Sequence, residues 1–189
     1  MSPRELFRLA GGASTPPAAW NYWVIENRLL AGAYPGSPEP EERQQKARAL
    51  VHAGIRAFVD LMEPDETNLE GQPFVPYAGT VRALCPEAAF VRHSIKDNSI
   101  PSPEVMKEIL DAIDEYLVAG SAVYVHCWGG VGRTGTVIGC WMLRHGLAAP
   151  NDVLDVLARL RRKDRERGGR RSPENHRQEQ FVLGWPPGR

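Results

Sequence analysis

The sequence predicts an α/β fold: a twisted, mainly parallel central sheet of about four to five strands flanked by helices. Three observations carry this expectation. Short runs of β-branched and aromatic residues alternate with amphipathic helical periodicity through most of the chain. One such run, AVYVH at 122–126, is largely apolar, as a central strand covered on both faces requires. That run leads through a Gly-rich turn directly into a helix, the arrangement that places ligand sites at the carboxyl ends of strands.

The elements follow in order. Residues 1–19 read as a flexible N-terminal arm, because Gly11, Gly12, Pro16 and Pro17 break any helix. Residues 20–189 read as one domain. WVI at 23–25 and RLLAGAY at 28–34 are strand-like and closed by Pro35 and Gly36. Residues 38–53 form a helix with Ala47, Leu50 and Val51 inward and Gly54 at its end. IRAFVDL at 55–61 is a strand, and residues 62–80, rich in Pro, Gly, Asp and Glu, are a surface loop. A short helix or turn is expected at 79–84 and a strand at 89–95. Ser102 caps a helix over 103–119, with Pro103 at the first helical position and Gly120 ending it. After the strand at 122–126, a helix spans 133–145 and is buried on most sides. Asn151 caps the next one, and the last runs over about 173–184. Between them lies RRKDRERGGRR at 161–171, with seven basic residues against two acids, which reads as a solvated helix end able to draw an acidic substrate toward the site.

Composition excludes several functions. The 189 residues carry 42% apolar and 24% charged side chains, so the chain is globular rather than disordered. Twenty-three basic residues balance 23 acidic ones, which argues against a nucleic-acid partner. No apolar run approaches the ~20 residues of a membrane span, and the N-terminus has no apolar core of a secretory signal. Cys85, Cys127 and Cys140 are too few and too scattered for a disulfide framework and point to a reducing, cytoplasmic setting. A monomer is expected.

The chemistry concentrates in HCWGGVGRTG, 126–135. A strand ends at His126, and Gly129, Gly130 and Gly132 let the following backbone curl. Successive N–H groups of Trp128, Gly129, Gly130, Val131 and Gly132 then converge as a nest for an anion. The N-terminus of the following helix adds its positive end at the same place. Cys127 lies at the bottom of this cup, where positive potential favours a thiol acting as nucleophile. Arg133 brings a planar fork matched to two phosphate oxygens. The triplet of Gly130, Gly132 and Gly135 also spells a dinucleotide fingerprint, but no second strand ending in an acid follows. A zinc site from His126, Cys127, Cys140 and His145 has no ligand spacing to support it.

The segment 126–134 resembles the active-site loop of the cysteine-dependent protein tyrosine phosphatase superfamily, whose signature is His-Cys, five residues, Arg, then Ser or Thr. HSIKDNSIPSPE, 93–104, resembles the general-acid loop of its small dual-specificity branch, with Asp97 as the acid. SPENHRQEQF, 172–181, is similar to a late segment in which a Gln three residues before a Phe positions water; Gln178 and Phe181 fit, while Glu174 stands where some branches carry a second Gln. The resemblance implies a phosphate monoester hydrolase, a protein tyrosine or dual-specificity phosphatase acting through a phosphocysteine. In it Cys127 attacks, Arg133 and the nest hold phosphate, and Asp97 transfers protons. Thr134 supports the sulfur, His126 orients the loop from beneath, and no cofactor or metal takes part. The alternatives are a phosphatase of phosphoinositides, inositol phosphates or RNA 5′ ends, and a non-catalytic phosphate-binding module. Asp60 is the competing carboxylate. Trp128 is expected to wall the pocket or to pack in the core, and Cys85 and Cys140 are expected to be structural.

Overall fold

The computed structural model describes residues 7–189. A five-stranded sheet is built from β1 (Asn21–Ile25), β2 (Leu29–Gly32), β3 (Ile55–Asp60), β4 (Ala89–Arg92) and β5 (Ala122–His126). Its spatial order is β1-β2-β5-β3-β4. β1 and β2 form an antiparallel pair, and the remaining neighbours are parallel. β5 therefore sits in the centre, paired to β2 on one side and β3 on the other, and all of its residues are buried. This explains why AVYVH shows no polar face.

Helices cover both sides. α1 (Pro40–His52) and α2 (Ala78–Leu84) pack over Ile55, Phe58 and Tyr124 on one face. α3 (Pro103–Val118), α4 (Gly132–Arg144), α5 (Val153–Arg161) and α6 (His176–Leu183) cover Val59, Val123 and Val125 on the other. α3 starts where its sequence dictates: Ser102 Oγ accepts a hydrogen bond from Val105 N at 3.3 Å, and Pro103 opens the helix. Its inward stripe is Met106, Ile109, Leu110, Ile113 and Leu117. α4 is buried along nearly its whole length, from Gly132 to Leu143, so it needs no polar face.

Three expectations are corrected. The N-terminal segment is not loose from Phe7 onward. Phe7 is buried against the edges of Trp141 and His145, at ring distances of 5.2 and 4.9 Å. Leu9 bridges Ile25, and Ala10 N donates to Val24 O at 2.9 Å. Part of the arm expected over 1–19 therefore lies along β1, while residues 1–6 fall outside the described residues. The residue capping α5 is Asp152 and not Asn151; the Asp152 carboxylate accepts from Ala149 N at 2.7 Å, outside the helix. α6 begins at His176, after Asn175, whose side chain accepts from Gln178 N at 3.0 Å. No helix among the described residues is long and apolar enough to cross a membrane.

This topology fixes the site. The parallel strands β2, β3 and β5 end together, with Gly32 and Asp60 both in register with His126. The loop leaving β5 therefore emerges between two strand ends and turns directly into α4.

Candidate active site

The loop after β5 is held by close backbone packing. Gly130 has φ +66°, and a Cβ there would lie 2.4 Å from the carbonyl carbon of Gly32. Only glycine satisfies both the left-handed conformation and this approach. Tyr34 N donates to Trp128 O at 2.9 Å, and Ser172 Oγ donates to Val131 O at 2.7 Å, so neighbouring loops clasp the curl on two sides. Gly130→Ala is expected to destabilise the protein by more than about 2 kcal/mol, read as a lower urea midpoint.

Cys127 is buried at the floor of a cavity that also exposes Trp128, Gly129, Val131, Gly132, Arg133 and Asp97. The residues singled out at the two ends of the sequence argument thus meet in one place. Arg133 is almost wholly buried, at 2% exposure. Its Nη1 donates to Ile95 O at 3.0 Å and to Glu66, and its Nη2 donates to Glu66 Oε2 at 3.0 Å. Burial opposes its charge, but the Glu66 hydrogen bonds and the field of Cys127 outweigh it, so the guanidinium is held firmly cationic. Its Nε is buried with no partner among the described residues. Glu66 therefore occupies the Nη1–Nη2 edge of the fork, while Nε makes no hydrogen bond among the described residues.

Asp97 Oδ1 lies 3.0 Å from Arg133 Nη2, with its carboxylate half-exposed at the cavity mouth. The turn that presents it is unusual: Asn98 has φ +57°, and its Nδ2 donates to Asp97 Oδ2 at 2.9 Å. Asparagine tolerates this left-handed backbone. Asn175 Nδ2 in turn donates to Asn98 O at 3.1 Å.

Gln178 is fully buried, and its amide touches the position a Gly132 Cβ would take, at 3.0 Å. Its Nε2 donates to Ser99 O at 3.1 Å and its Oε1 accepts from Glu174 N at 3.1 Å. In this conformation Gln178 ties the Asp97 loop to the C-terminal segment. Thr134 Oγ1 is buried with no partner among the described residues, so the expected hydrogen bond to the Cys127 sulfur is not formed in this state.

His126 lies beneath the loop, fully buried, with Nε2 2.6 Å from the Tyr77 hydroxyl. Burial lowers its pKa, against the opposing pull of Asp60, so it is neutral near pH 7. Asp60 is committed elsewhere. Its Oδ2 accepts from Arg92 Nε and Nη2 at 3.1 and 2.8 Å, and its Oδ1 accepts from Met62 N at 2.9 Å. It does not line the Cys127 cavity. Trp128 both walls the cavity and packs, meeting Phe74 edge to face at 5.4 Å.

Sequence reasoning missed Glu66 on the Arg133 fork and the clasp that Ser172 makes on the loop. Glu66 stands among Glu63, Asp65 and Glu70 in an irregular loop, and nothing in that run distinguishes the one acid that turns inward.

Residues 36–147 match the family model described as polymorphic toxin system, DSP-PTPase phosphatase. The chain belongs to this family. That family is one of small, cysteine-dependent phosphatases of the dual-specificity type. Among curated proteins it is 30% identical over 169 residues to the putative tyrosine phosphatase 067L of Invertebrate iridescent virus 3, covering 85% of this chain and 62% of the viral one. It is 41% identical over 61 residues to the dual specificity protein phosphatase CDC14B of Mus musculus, covering 31% of this chain and 12% of that one. The phosphatase thus spans only a small part of that mouse relative. Kinase associated phosphatase superposes with a TM-score of 0.65 at 20% identity, over 82% of this chain and 83% of the other. Tk-PTP in its active form gives a TM-score of 0.58 at 24% identity, over 82% and 88% of the two chains. These two likenesses establish the shared fold.

Proposed function

We propose that this phosphatase hydrolyses phosphate monoesters on protein substrates, phosphotyrosine first, through a phosphocysteine intermediate. The observation that carries this reading is the convergence of Cys127, Arg133 and Asp97 on one cavity floored by the 128–132 loop.

The substrate dianion enters the nest and meets the Arg133 Nε, which is buried and unpartnered. Cys127 Sγ attacks phosphorus in line. The S–P bond forms as the P–O bond to the leaving group breaks, and Asp97 donates its proton to that oxygen. Charge on the three equatorial oxygens is met by backbone N–H groups and the guanidinium, already in position before reaction. Water then attacks the phosphocysteine, giving a proton to Asp97 and releasing inorganic phosphate and the thiolate. Thr134 Oγ1, with no other partner, donates to the departing sulfur. Gln178 holds the Asp97 loop in register with the nest through Ser99 O. His126 acts as a neutral support and takes no part in proton transfer. The protein supplies the positive charge from its own groups, so EDTA leaves the activity intact.

Glu66 positions Arg133. Removing it leaves the fork anchored only at Ile95 O and the half-exposed Asp97 carboxylate, and able to swing. Glu66→Ala is expected to lower kcat/KM by on the order of 10- to 100-fold and to weaken competitive inhibition by inorganic phosphate in parallel.

The deciding assay is hydrolysis of p-nitrophenyl phosphate, a phosphotyrosine peptide and a phosphoserine peptide in EDTA. Turnover of the tyrosine peptide supports the reading, and the serine peptide reports dual specificity. Turnover of none of them sinks it and shifts weight to a phosphate-binding role. The other alternative, phosphoinositides or inositol phosphates, has less support. The loop carries Trp128, Gly129, Gly130 and Val131 at its variable positions, with no lysine to meet additional ring phosphates.

A further inference from the structure

The basic stretch 161–171 is a solvated helix end only in part: Arg162, Arg165, Arg170 and Arg171 are exposed, but the loop is built on two buried charges. Arg161 and Asp164 are both buried beneath it, at 0% and 3% exposure. Arg161 Nη1 donates to Arg170 O at 2.7 Å and Nη2 to Arg167 O at 3.0 Å. Asp164 Oδ1 accepts from the backbone N–H of Glu166 and Arg167 at 3.0 and 2.9 Å. Gly168 is pressed against this pair so closely that a Cβ would lie 2.1 Å from Arg161 O and 2.2 Å from Asp164 O. Burying two charges under a surface loop carries a large desolvation cost, which their hydrogen bonds to its backbone offset. The result is a rigid loop with a fixed outer edge.

That edge meets the site. Arg167 Nη1 is 3.4 Å from the place a Gly129 Cβ would occupy, so the guanidinium rests on the rim of the nest. Arg167 lines the Cys127 cavity and also an adjoining one bounded by Trp20, Tyr34, Phe74 and Trp128. The other cations near it are engaged: Arg133 with Glu66, Arg170 with Glu174 and Lys46 with Glu42. Arg167 has no ion-pair partner among the described residues. A guanidinium held at the mouth of an anion site, without a carboxylate of its own, is a receptor for an anion brought by the ligand.

We propose that Arg167 forms a second anion subsite, and that the preferred substrates carry another acidic group, carboxylate or phosphate, next to the phosphate that is cleaved. This rests on the function proposed above and narrows its substrate class to phosphotyrosine peptides with an acidic neighbour. Arg167 here is a specificity-determining residue.

The test compares kcat/KM for matched pairs: a phosphotyrosine peptide with Glu or Ala on either side, and an inositol bisphosphate against its monophosphate. Wild-type protein is expected to favour the peptide with acidic neighbours by about tenfold, the scale of one charge-assisted hydrogen bond. The preference shrinks as salt rises. In Arg167→Ala the ratio falls to about one, in Arg167→Glu it inverts, and in Arg167→Lys part of it returns. Arg165→Ala, on the same loop but outside both cavities, keeps the wild-type ratio. An Arg167-dependent ratio in the inositol pair alone keeps the second-anion subsite and moves its source to a small polyphosphate. Turnover with no preference in either pair, or a preference that survives Arg167→Ala, overturns the subsite alone. Absence of turnover with any monoester overturns the phosphatase reading beneath it.

Discussion

Cys127→Ser is expected to lower turnover of p-nitrophenyl phosphate by on the order of 10⁴-fold or more, the scale seen when a covalent nucleophile is removed. The serine hydroxyl is nearly the same size as the thiol and sits in the same buried position, so the nest and Arg133 keep their geometry. Binding of inorganic phosphate, followed by calorimetry, should therefore survive in Cys127→Ser. That separation is the informative part. Loss of both turnover and phosphate binding would mean that the substitution deformed the loop, and the nucleophile assignment would then have no support from this variant. The chain also supplies its own control. Cys140 is buried in the middle of α4, where desolvation pushes its thiol pKa far above the ordinary value. Such a sulfur stays protonated and inert at neutral pH. Cys140→Ser should retain turnover, and a phosphocysteine trapped by rapid acid quench should map to Cys127.

What could be read from the sequence follows a physical division. Strands and helices whose burial is complete on their own faces announce themselves locally. β5 is apolar throughout because both its faces are covered, and α3 carries its cap, its first-turn proline and its inward stripe within one segment. The Cys127 loop was equally legible, because a nest needs glycines at fixed offsets and these stand next to the nucleophile and the arginine. Features created by contacts between distant segments were not legible. Phe7 finds Trp141 and His145 across the fold, and an arm broken by glycine and proline gives no sign of it. Arg161 and Asp164 look like two more charges in a charged run until the loop closes over them. Gln178 had the expected spacing to Phe181, yet its partner, the carbonyl of Ser99, lies in another loop. Glu66 was hidden for the opposite reason, since several acids in one irregular loop are locally equivalent.

Asp97→Ala separates the chemical steps. The carboxylate stands beside Arg133 at the cavity mouth, on a turn braced by Asn98 and Asn175. In the proposed mechanism a group placed there protonates the leaving oxygen while Cys127 attacks from the opposite side of phosphorus, as in-line displacement requires. General acid catalysis is typically worth about 10²–10⁴-fold, and its value depends on how badly the leaving group needs a proton. A phosphotyrosine peptide leaves as a poorly stabilised phenoxide and should lose that whole factor in Asp97→Ala. p-Nitrophenyl phosphate leaves as a stabilised anion and should lose much less. Asp97→Asn keeps the size of the side chain and its hydrogen bond to the neighbouring amide but has no proton to give, so it should behave like the alanine variant. Equal losses on both substrates would remove Asp97 from proton transfer. Its contact with Arg133 would then be electrostatic, and the acid would have to be sought among the other groups that line the same cavity.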